Sequence, residues 1–258
     1  MDSLNVWQTF SLLLGLALGS FANVCIWRLP QGKSVISPTS YCPRCGTHIK
    51  FYDNIPILSY LLLKGKCRFC KGHIPLRYPI VEAVMGILSL ALFIRYGLSY
   101  QYFLYLGFFG SLLVITFIDL YHQIIPDEIS LPGIVVGLLA SLLPGEPSWI
   151  DSIFGILAGG LGLLVVAWTF QLLTGKEGMG GGDIKLLAMI GAWMGWKSLP
   201  LVVLISSVSG TLIGGGALIL SKKDVGSRIP FGPFLALGAV IYFFFGAKLL
   251  SLYMGLLV

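Results

Sequence analysis

The feature that most constrains this chain is a series of apolar runs, several of them long enough to cross a lipid bilayer as helices. Hydrophobic residues make up 56% of the 258 positions and charged residues only 11%, which is typical of a polytopic membrane protein. A helix needs about 20 apolar residues to cross roughly 30 Å of hydrocarbon. The candidate spans are 6–27, 79–96, 101–118, 129–143, 150–173, 184–196, 199–220 and 231–255. The sequence therefore predicts an all-α polytopic membrane protein with about eight transmembrane helices.

Two of these runs, 129–143 and 184–196, are shorter than a full crossing. If either is re-entrant, the number of crossings falls to six or seven. The first run is long enough to span and lacks the basic segment and small-residue cleavage site of a signal peptide, so it is interpreted as the first transmembrane helix.

The distribution of lysine and arginine predicts the orientation of these helices. If the N-terminus is outside, 14 of the 17 basic residues lie in inner segments, as expected because such residues stay on the cytoplasmic side. Only Arg95, Lys197 and Lys248 then lie outside. The net charge of +6 follows from this topology and from attraction to anionic lipid, and it requires no nucleic-acid partner.

Residues 28–78 form the only sizeable polar segment, with nine basic residues, one acid and four of the five cysteines. The sequence therefore predicts three parts: a transmembrane helix (1–27), a small cytoplasmic domain (28–78) and a membrane domain (79–258).

The cysteines of the polar segment form two C-x2-C pairs, Cys42/Cys45 and Cys67/Cys70, with 21 residues between them. This pattern predicts a zinc ion bound by four thiolates, because so few apolar side chains cannot fold the segment unaided. Such a closed site has no open position, so the zinc is expected to be structural. Disulfides conflict with a reducing cytoplasmic location.

Two aspartates lie at the edges of apolar runs, where an unpaired charge is costly. Asp119 ends one run, and Asp183 begins another after a stretch that contains four glycines (178–182). Capping the following helix is an equally weighted role for Asp183 on local sequence alone. Asp119 lies at a helix C-terminus, where the dipole disfavours a negative charge. Two such carboxylates close together would share a proton and act as base and acid, as in an aspartic protease.

These motifs resemble the paired-aspartate signature of bacterial type IV prepilin peptidases. The resemblance rests on Asp119 with Ile125-Pro126-Asp127 and Leu131-Pro132, on Gly178-Met179-Gly180-Gly181-Gly182-Asp183-Ile184-Lys185-Leu186, and on N-terminal motifs that include Gly19-Ser20-Phe21-Ala22-Asn23, the cysteine pairs and Arg77-Tyr78-Pro79-Ile80-Val81-Glu82. It covers nearly the whole chain.

The resemblance implies a bifunctional enzyme of the bacterial inner membrane, with its active site facing the cytoplasm. Such an enzyme cleaves the basic leader of prepilins or pseudopilins after glycine, and then methylates the new N-terminal amine with S-adenosylmethionine. Asp119 and Asp183 become the catalytic pair. Glu82 is the candidate for methyl transfer, and pairing with Arg77 or another basic residue is the alternative.

Substrate contacts are expected from four residues near the aspartates: Asp127, Glu177, Gly180 and Gly182. Asp127 is alternatively the cap of the next helix, and Lys185 is expected to reach lipid phosphate. Two rival functions are a transporter or channel that uses the aspartates as a proton relay, and a binding module built on the zinc domain. The first is disfavoured because both aspartates map to one membrane face, and the second would make them dispensable.

Overall fold

The computed structural model describes residues 2–37, 39–145, 147–175, 180–216 and 230–255. Nine α-helices lie within these described residues: α1 (Asp2–Arg28), α2 (Leu58–Leu62), α3 (Arg77–Tyr96), α4 (Tyr100–His122), α5 (Asp127–Ala140), α6 (Trp149–Thr174), α7 (Gly181–Met194), α8 (Leu199–Ser209) and α9 (Gly232–Gly255). Short 3-10 helices cover Leu29–Gln31, Phe51–Asn54 and Trp196–Ser198, and a π-helix, Gly210–Gly215, follows α8. The described ranges contain two isolated β-bridges and no longer strand.

Six helical segments within the described residues are long and apolar enough to cross a membrane: Asn5–Gln31, Arg77–Tyr96, Tyr100–His122, Trp149–Thr174, Trp196–Gly214 and Gly232–Leu252. The other two predicted spans correspond to α5 and α7, which have 14 residues each. At about 1.5 Å per residue they reach roughly 21 Å, less than the hydrocarbon thickness. The predicted all-α, multi-pass membrane architecture is confirmed, and the described part of the chain contains six candidate spans instead of eight.

The chain divides into two compact units, residues 1–114 and 115–258. The predicted three-part division, with boundaries after 27 and 78, remains a prediction.

In the first unit, α1 and α3 approach closely through glycines on α1. A Cβ at Gly19 would lie 2.6 Å from Cα of Glu82, and a Cβ at Gly15 would lie 2.5 Å from Cβ of Ser89. Small residues at an interface let membrane helices pack at short range. The hydroxyl of Ser89 also bonds the Ser11 carbonyl at 2.6 Å and the Tyr102 hydroxyl at 2.7 Å. These contacts fix α1, α3 and the start of α4, and they bring Glu82 against α1.

In the second unit, the short helix α7 is enclosed by its neighbours. Every residue from Leu186 to Trp193 is buried. Gly155 of α6 and Gly191 of α7 touch backbone to backbone, so a Cβ on either glycine would overlap the other's carbonyl. On the α5 side, the indole N–H of Trp193 donates to the Gly133 carbonyl at 2.8 Å. Packing on both sides holds α7 in place and thereby fixes its N-terminal turn, which carries Asp183.

Candidate active site

Asp119 lies in the last turns of α4 and is 5% exposed. Its Oδ2 accepts a hydrogen bond of 2.9 Å from the backbone N–H of Gly232, the first residue of α9. The amides at a helix N-terminus are free to donate, and the helix dipole there favours a negative charge. The unfavourable interaction of the Asp119 charge with the dipole of α4 is therefore offset by the favourable interaction with the N-terminus of α9.

Gly232 was missed by sequence reasoning. A Cβ at this position would lie 2.7 Å from Oδ2 of Asp119 and 3.4 Å from Cδ1 of Ile125, so glycine is needed for the close approach. The available signal was Pro230-Phe231-Gly232-Pro233, because a proline at the start of an apolar run is typical of a helix N-terminus. That signal predicts the helix start but not its contact with Asp119.

Asp183 is the third residue of α7, whose N-cap is Gly180. Its own N–H donates to the Gly180 carbonyl at 3.2 Å. The interpretation of Asp183 as the helix N-cap is therefore wrong, since Gly180 occupies that position. The carboxylate points back over the glycine turn, where Oδ2 would lie 3.8 Å from a Cβ at Gly180.

The two aspartates belong to one cluster, joined through Ile125 in the loop between α4 and α5. A Cβ at Gly182, next to Asp183, would lie 2.9 Å from Cβ of Ile125. Gly232, which bonds Asp119, approaches the same isoleucine. The carboxylates are also close enough for the charge of Asp119 to act on Asp183. The structure thus brings together the two residues that the sequence singled out from positions 64 apart.

Asp183 lies outside the six candidate spans. Burial raises its pKa to about 6, and the negative charge of Asp119 acts in the same direction. Two neighbouring carboxylates in a poorly hydrated site do not both ionise readily, so they hold one proton between them at pH values below about 6.

Asp127 is the first residue of α5, and its carboxylate pairs with Lys185 of α7. The Lys185 ammonium lies 2.7 and 2.8 Å from the two carboxylate oxygens. The N-cap of α5 is Pro126, so the capping role considered for Asp127 is wrong. Lys185, expected to reach lipid phosphate, instead bridges two helices of the cluster. A substrate contact by Asp127 remains a prediction.

The other predicted substrate residues lie in the glycine turn before Asp183. Gly180 is exposed and Gly182 is partly buried against Ile125. Glu177 lies outside the described residues. Contact of any of these with substrate remains a prediction.

Glu82, on the second turn of α3, is buried. Its Oε2 accepts a hydrogen bond of 2.7 Å from the backbone N–H of Ile57, and a Cβ at Gly19 of α1 would lie 2.6 Å from its Cα. Asn23, one turn further along α1, donates to the Tyr78 carbonyl at 3.0 Å, whereas its buried Oδ1 has no hydrogen-bond partner among the described residues. Two acceptor groups therefore lie on the facing turns of α1 and α3.

The four cysteines of the polar segment form a cluster that could hold a metal ion. Their Sγ atoms all lie within 4.8 Å of one another, and those of Cys42 and Cys70 are 3.9 Å apart. A tetrahedral site with Zn–S bonds of about 2.3 Å places sulfurs roughly 3.8 Å apart. The thiols therefore fit zinc without rearrangement of the backbone.

Each cysteine pair forms the same backbone turn. The N–H of Cys42 donates to the Thr47 carbonyl at 2.9 Å, and that of Cys67 donates to the Gly72 carbonyl at 2.8 Å. The residue after the second cysteine has a positive φ in both turns, 71° at Gly46 and 56° at Lys71. The two turns are thus structural duplicates.

Comparison with known proteins identifies relatives over almost the whole chain. Residues 13–96 match the family described as the bacterial peptidase A24 N-terminal domain, and residues 106–215 match the type IV leader peptidase family. No solved structure matches the chain significantly.

Relatives named prepilin leader peptidase/N-methyltransferase match this chain over nearly its full length, and three of them illustrate the similarity. The protein of Pseudomonas putida is 40% identical over 96% of this chain and 94% of its own length. That of Pseudomonas aeruginosa is 40% identical over 95% and 92%, and that of Aeromonas salmonicida is 39% identical over 96% and 94%. The similarity therefore extends over both matched families and the segment between them.

Proposed function

Because this chain belongs to the type IV leader peptidase family, we propose that it is a prepilin leader peptidase and N-methyltransferase with an aspartic mechanism. It removes the basic leader of type IV prepilins or pseudopilins after glycine and then methylates the new N-terminal amine. The names of its relatives support both activities. The observation that carries the aspartic mechanism is that Gly182, next to Asp183, and Gly232, which bonds Asp119, both lie against Ile125.

In the proposed mechanism, the two carboxylates share one proton and take different roles. The Gly232 N–H and the N-terminus of α9 stabilise the negative charge of Asp119. That favours the proton on Asp183, whose pKa is raised by burial. Asp119 is then the general base and Asp183 the general acid.

Cleavage proceeds through attack of water on the carbonyl carbon of the scissile glycine. Asp119 takes a proton from the water as the C–O bond forms, while Asp183 donates a hydrogen bond to the carbonyl oxygen. When the C–N bond breaks, the proton on Asp119 passes to the leaving amine. No covalent intermediate with the protein is needed.

Gly180 and Gly182 are proposed to let the substrate backbone approach the aspartates, since neither carries a side chain. Asp127 and Glu177 are proposed to attract the basic leader. The charge of Asp127 is partly neutralised by Lys185, so its contribution to leader binding is smaller than that of an unpaired acid.

Methyl transfer is assigned to the N-terminal half of the chain, with Glu82 as the proposed functional residue. S-adenosylmethionine supplies the methyl group from a positively charged sulfonium. The Glu82 carboxylate and the Oδ1 of Asn23 are acceptors that suit a cationic methyl donor or an ammonium group. Zinc is proposed to bind Cys42, Cys45, Cys67 and Cys70 and to hold this domain folded.

The protein is proposed to lie in the bacterial inner membrane with the catalytic aspartates at the cytoplasmic face. The distribution of basic residues supports this orientation. Its partners are then the prepilin or pseudopilin substrates and the surrounding lipid.

The aspartic mechanism is tested by cleavage of a prepilin with the purified protein in detergent. Asp119→Asn and Asp183→Asn are each expected to lower the cleavage rate by at least about 100-fold, because each removes an acid or base group. Asp151→Asn is the matched control, since Asp151 bonds Ser148 and Trp196 away from the cluster. This variant should cleave the prepilin at the normal rate. Cleavage at the normal rate by either cluster variant, with its fold intact, would exclude the mechanism.

A further inference from the structure

The short helix α2, in the segment predicted to be cytoplasmic, carries an apolar face that no described part of the protein covers. Leu58, Leu61 and Leu62, here called the leucine face, are 50%, 64% and 74% exposed. Their spacing of three and four residues places them on one side of the helix. Ser59 points the other way, is buried, and donates to the Tyr52 carbonyl at 2.9 Å. The helix therefore turns its polar residue inward and its leucines outward.

The position of α2 along the membrane helices follows from the hydrogen bond between Ile57 and Glu82. Ile57 immediately precedes α2, and Glu82 lies five residues into the span that begins at Arg77, about 7.5 Å along the helix axis. Gly19, whose Cβ would lie 2.6 Å from Cα of Glu82, lies nine residues before the end of α1 at Arg28, roughly 14 Å along that helix. The start of α2 is thus level with residues inside two membrane-spanning helices.

A strained turn directs the chain into this position. Ile57 has φ 59° and ψ −51°, and the N–H of Leu58 donates to the Pro56 carbonyl. This is a classic γ-turn, which is rare, and a positive φ is especially unfavourable for a β-branched residue. Strain of this kind persists only where the surroundings impose it. Here the turn is held by the buried carboxylate of Glu82.

Exposed lysines follow the leucine face. Lys64 and Lys66 come directly after α2 and before the second cysteine pair. Lysines beside an apolar helix face are typical of elements that lie in the membrane interface, where the ammonium groups reach lipid phosphates.

From this geometry we propose that residues 54–63 form an interfacial element whose leucine face inserts into the phospholipid monolayer beside α1 and α3. The metal-binding segment would then be held at the membrane surface by lipid as well as by its two flanking helices. This inference depends on α1 and α3 crossing the membrane, and it is independent of both proposed catalytic activities.

The test uses the full-length protein in nanodiscs that contain phosphatidylglycerol and phosphatidylcholine, with and without bromine atoms on the acyl chains. A fluorescent non-natural amino acid is introduced at Leu62 and, separately, at Leu61. Ile87, 64% exposed on α3, provides the membrane reference. His48, exposed beside the first cysteine pair, provides the aqueous reference. Metal content of each labelled protein verifies that the cysteine cluster is intact.

The labels at positions 61 and 62 are each expected to be quenched by brominated lipid at least half as strongly as the label at 87. Both labels should also be protected from iodide, an aqueous quencher, relative to the label at 48. Quenching by iodide as strong as at 48 would mean that the leucine face is in water and would overturn the proposal. Protection from both quenchers would mean that protein covers this face, which would overturn it equally.

Discussion

Gly232 donates its backbone N–H to Oδ2 of Asp119 at 2.9 Å, across 113 positions of sequence. The contact joins the N-terminus of α9 to the end of α4, and no side chain other than hydrogen fits between them. A backbone donor cannot rotate away or change its charge, so it holds the carboxylate in position and stabilises its negative charge. The proposed base of the reaction is therefore positioned by a backbone N–H of α9, a helix that contributes no titratable group to the cluster.

Gly232→Ala tests this arrangement. The added Cβ would lie 2.7 Å from the carboxylate oxygen, so either Asp119 or the start of α9 must shift. A displacement of this size is expected to lower the rate of prepilin cleavage about 10- to 100-fold. Methyl transfer to a pre-cleaved substrate should be unchanged, and a mass-spectrometric assay of both products measures the two rates.

Gly162→Ala is the control for this substitution, because a Cβ at Gly162 on α6 meets no atom within 4 Å. It should cleave at the normal rate. If Gly232→Ala cleaves as fast as Gly162→Ala, the close contact with Asp119 has no role in the reaction.

The raised pKa of Asp183 predicts that this residue destabilises the protein at neutral pH. Between pH 3.8, the ordinary pKa of an aspartate, and pH 6, the approximate raised pKa of Asp183, the folded state binds more protons than the unfolded state, so stability falls as pH rises through this window. The raised pKa corresponds to a loss of about 2 to 3 kcal/mol in the free energy of unfolding at neutral pH. Asp183→Asn removes the charge and should raise the unfolding temperature at pH 7, while it abolishes cleavage.

Thermal unfolding in detergent at pH 4.5 and pH 7 measures this effect. The difference in unfolding temperature between Asp183→Asn and the unmodified protein should be larger at pH 7 than at pH 4.5. An equal difference at both values would show that the Asp183 carboxylate is not destabilised by burial.

The sequence predicted the large elements of this fold because each membrane helix carries its own signal. Apolar runs located α3, α4, α6 and α9 to within a few residues, since burial in lipid requires a continuous stretch of apolar side chains. The charges at the ends of two runs identified Asp119 and Asp183 for the same reason. The long run 199–220 was read as one helix, whereas α8 ends at Ser209 and a π-helix follows. Hydropathy does not report such a change in hydrogen bonding.

The sequence carried no comparable signal for the contacts between residues that are far apart in the chain. The bond from Gly232 depends on where α9 begins relative to α4, and the γ-turn at Ile57 depends on an acceptor 25 positions away. No local preference predicts a positive φ at isoleucine. The five-residue helix α2 was read as part of a polar segment because its leucines are too few to register as a span.

Glu82→Gln separates the charge of Glu82 from its structural role. Glutamine keeps a carbonyl oxygen that can accept the Ile57 N–H, so the γ-turn should persist. The negative charge is lost, and methyl transfer is expected to fall at least about 10-fold, as for loss of one charged group from a binding site. Cleavage should be unaffected. Equal loss of both activities would indicate a folding defect, whereas normal methylation would exclude a role for the charge.

Asp127 and Lys185 form an ion pair, and substitution of each is expected to change KM in opposite directions. If Asp127 contacts the basic leader, Asp127→Asn should raise KM, whereas Lys185→Gln should free the carboxylate and lower KM. Both groups are substantially exposed, and an exposed pair contributes about 0 to 1 kcal/mol, so changes of up to about fivefold are expected. Changes in the same direction for both variants would indicate that the pair only joins α5 to α7.

Removal of the metal is expected to separate the two activities. Cys67→Ser takes one of four clustered thiols, and the segment around it has too few buried apolar residues to stay folded without metal. Metal content should fall from about one zinc per chain to well below half, and methyl transfer should be lost with it. Cleavage should persist, because Asp119, Asp183 and Gly232 all lie in the second compact unit.

Cys25→Ser is the control, since Cys25 lies on α1 outside the cluster. This variant should retain metal and both activities. Loss of cleavage in Cys67→Ser, with normal cleavage in Cys25→Ser, would show that the peptidase depends on the metal-binding segment.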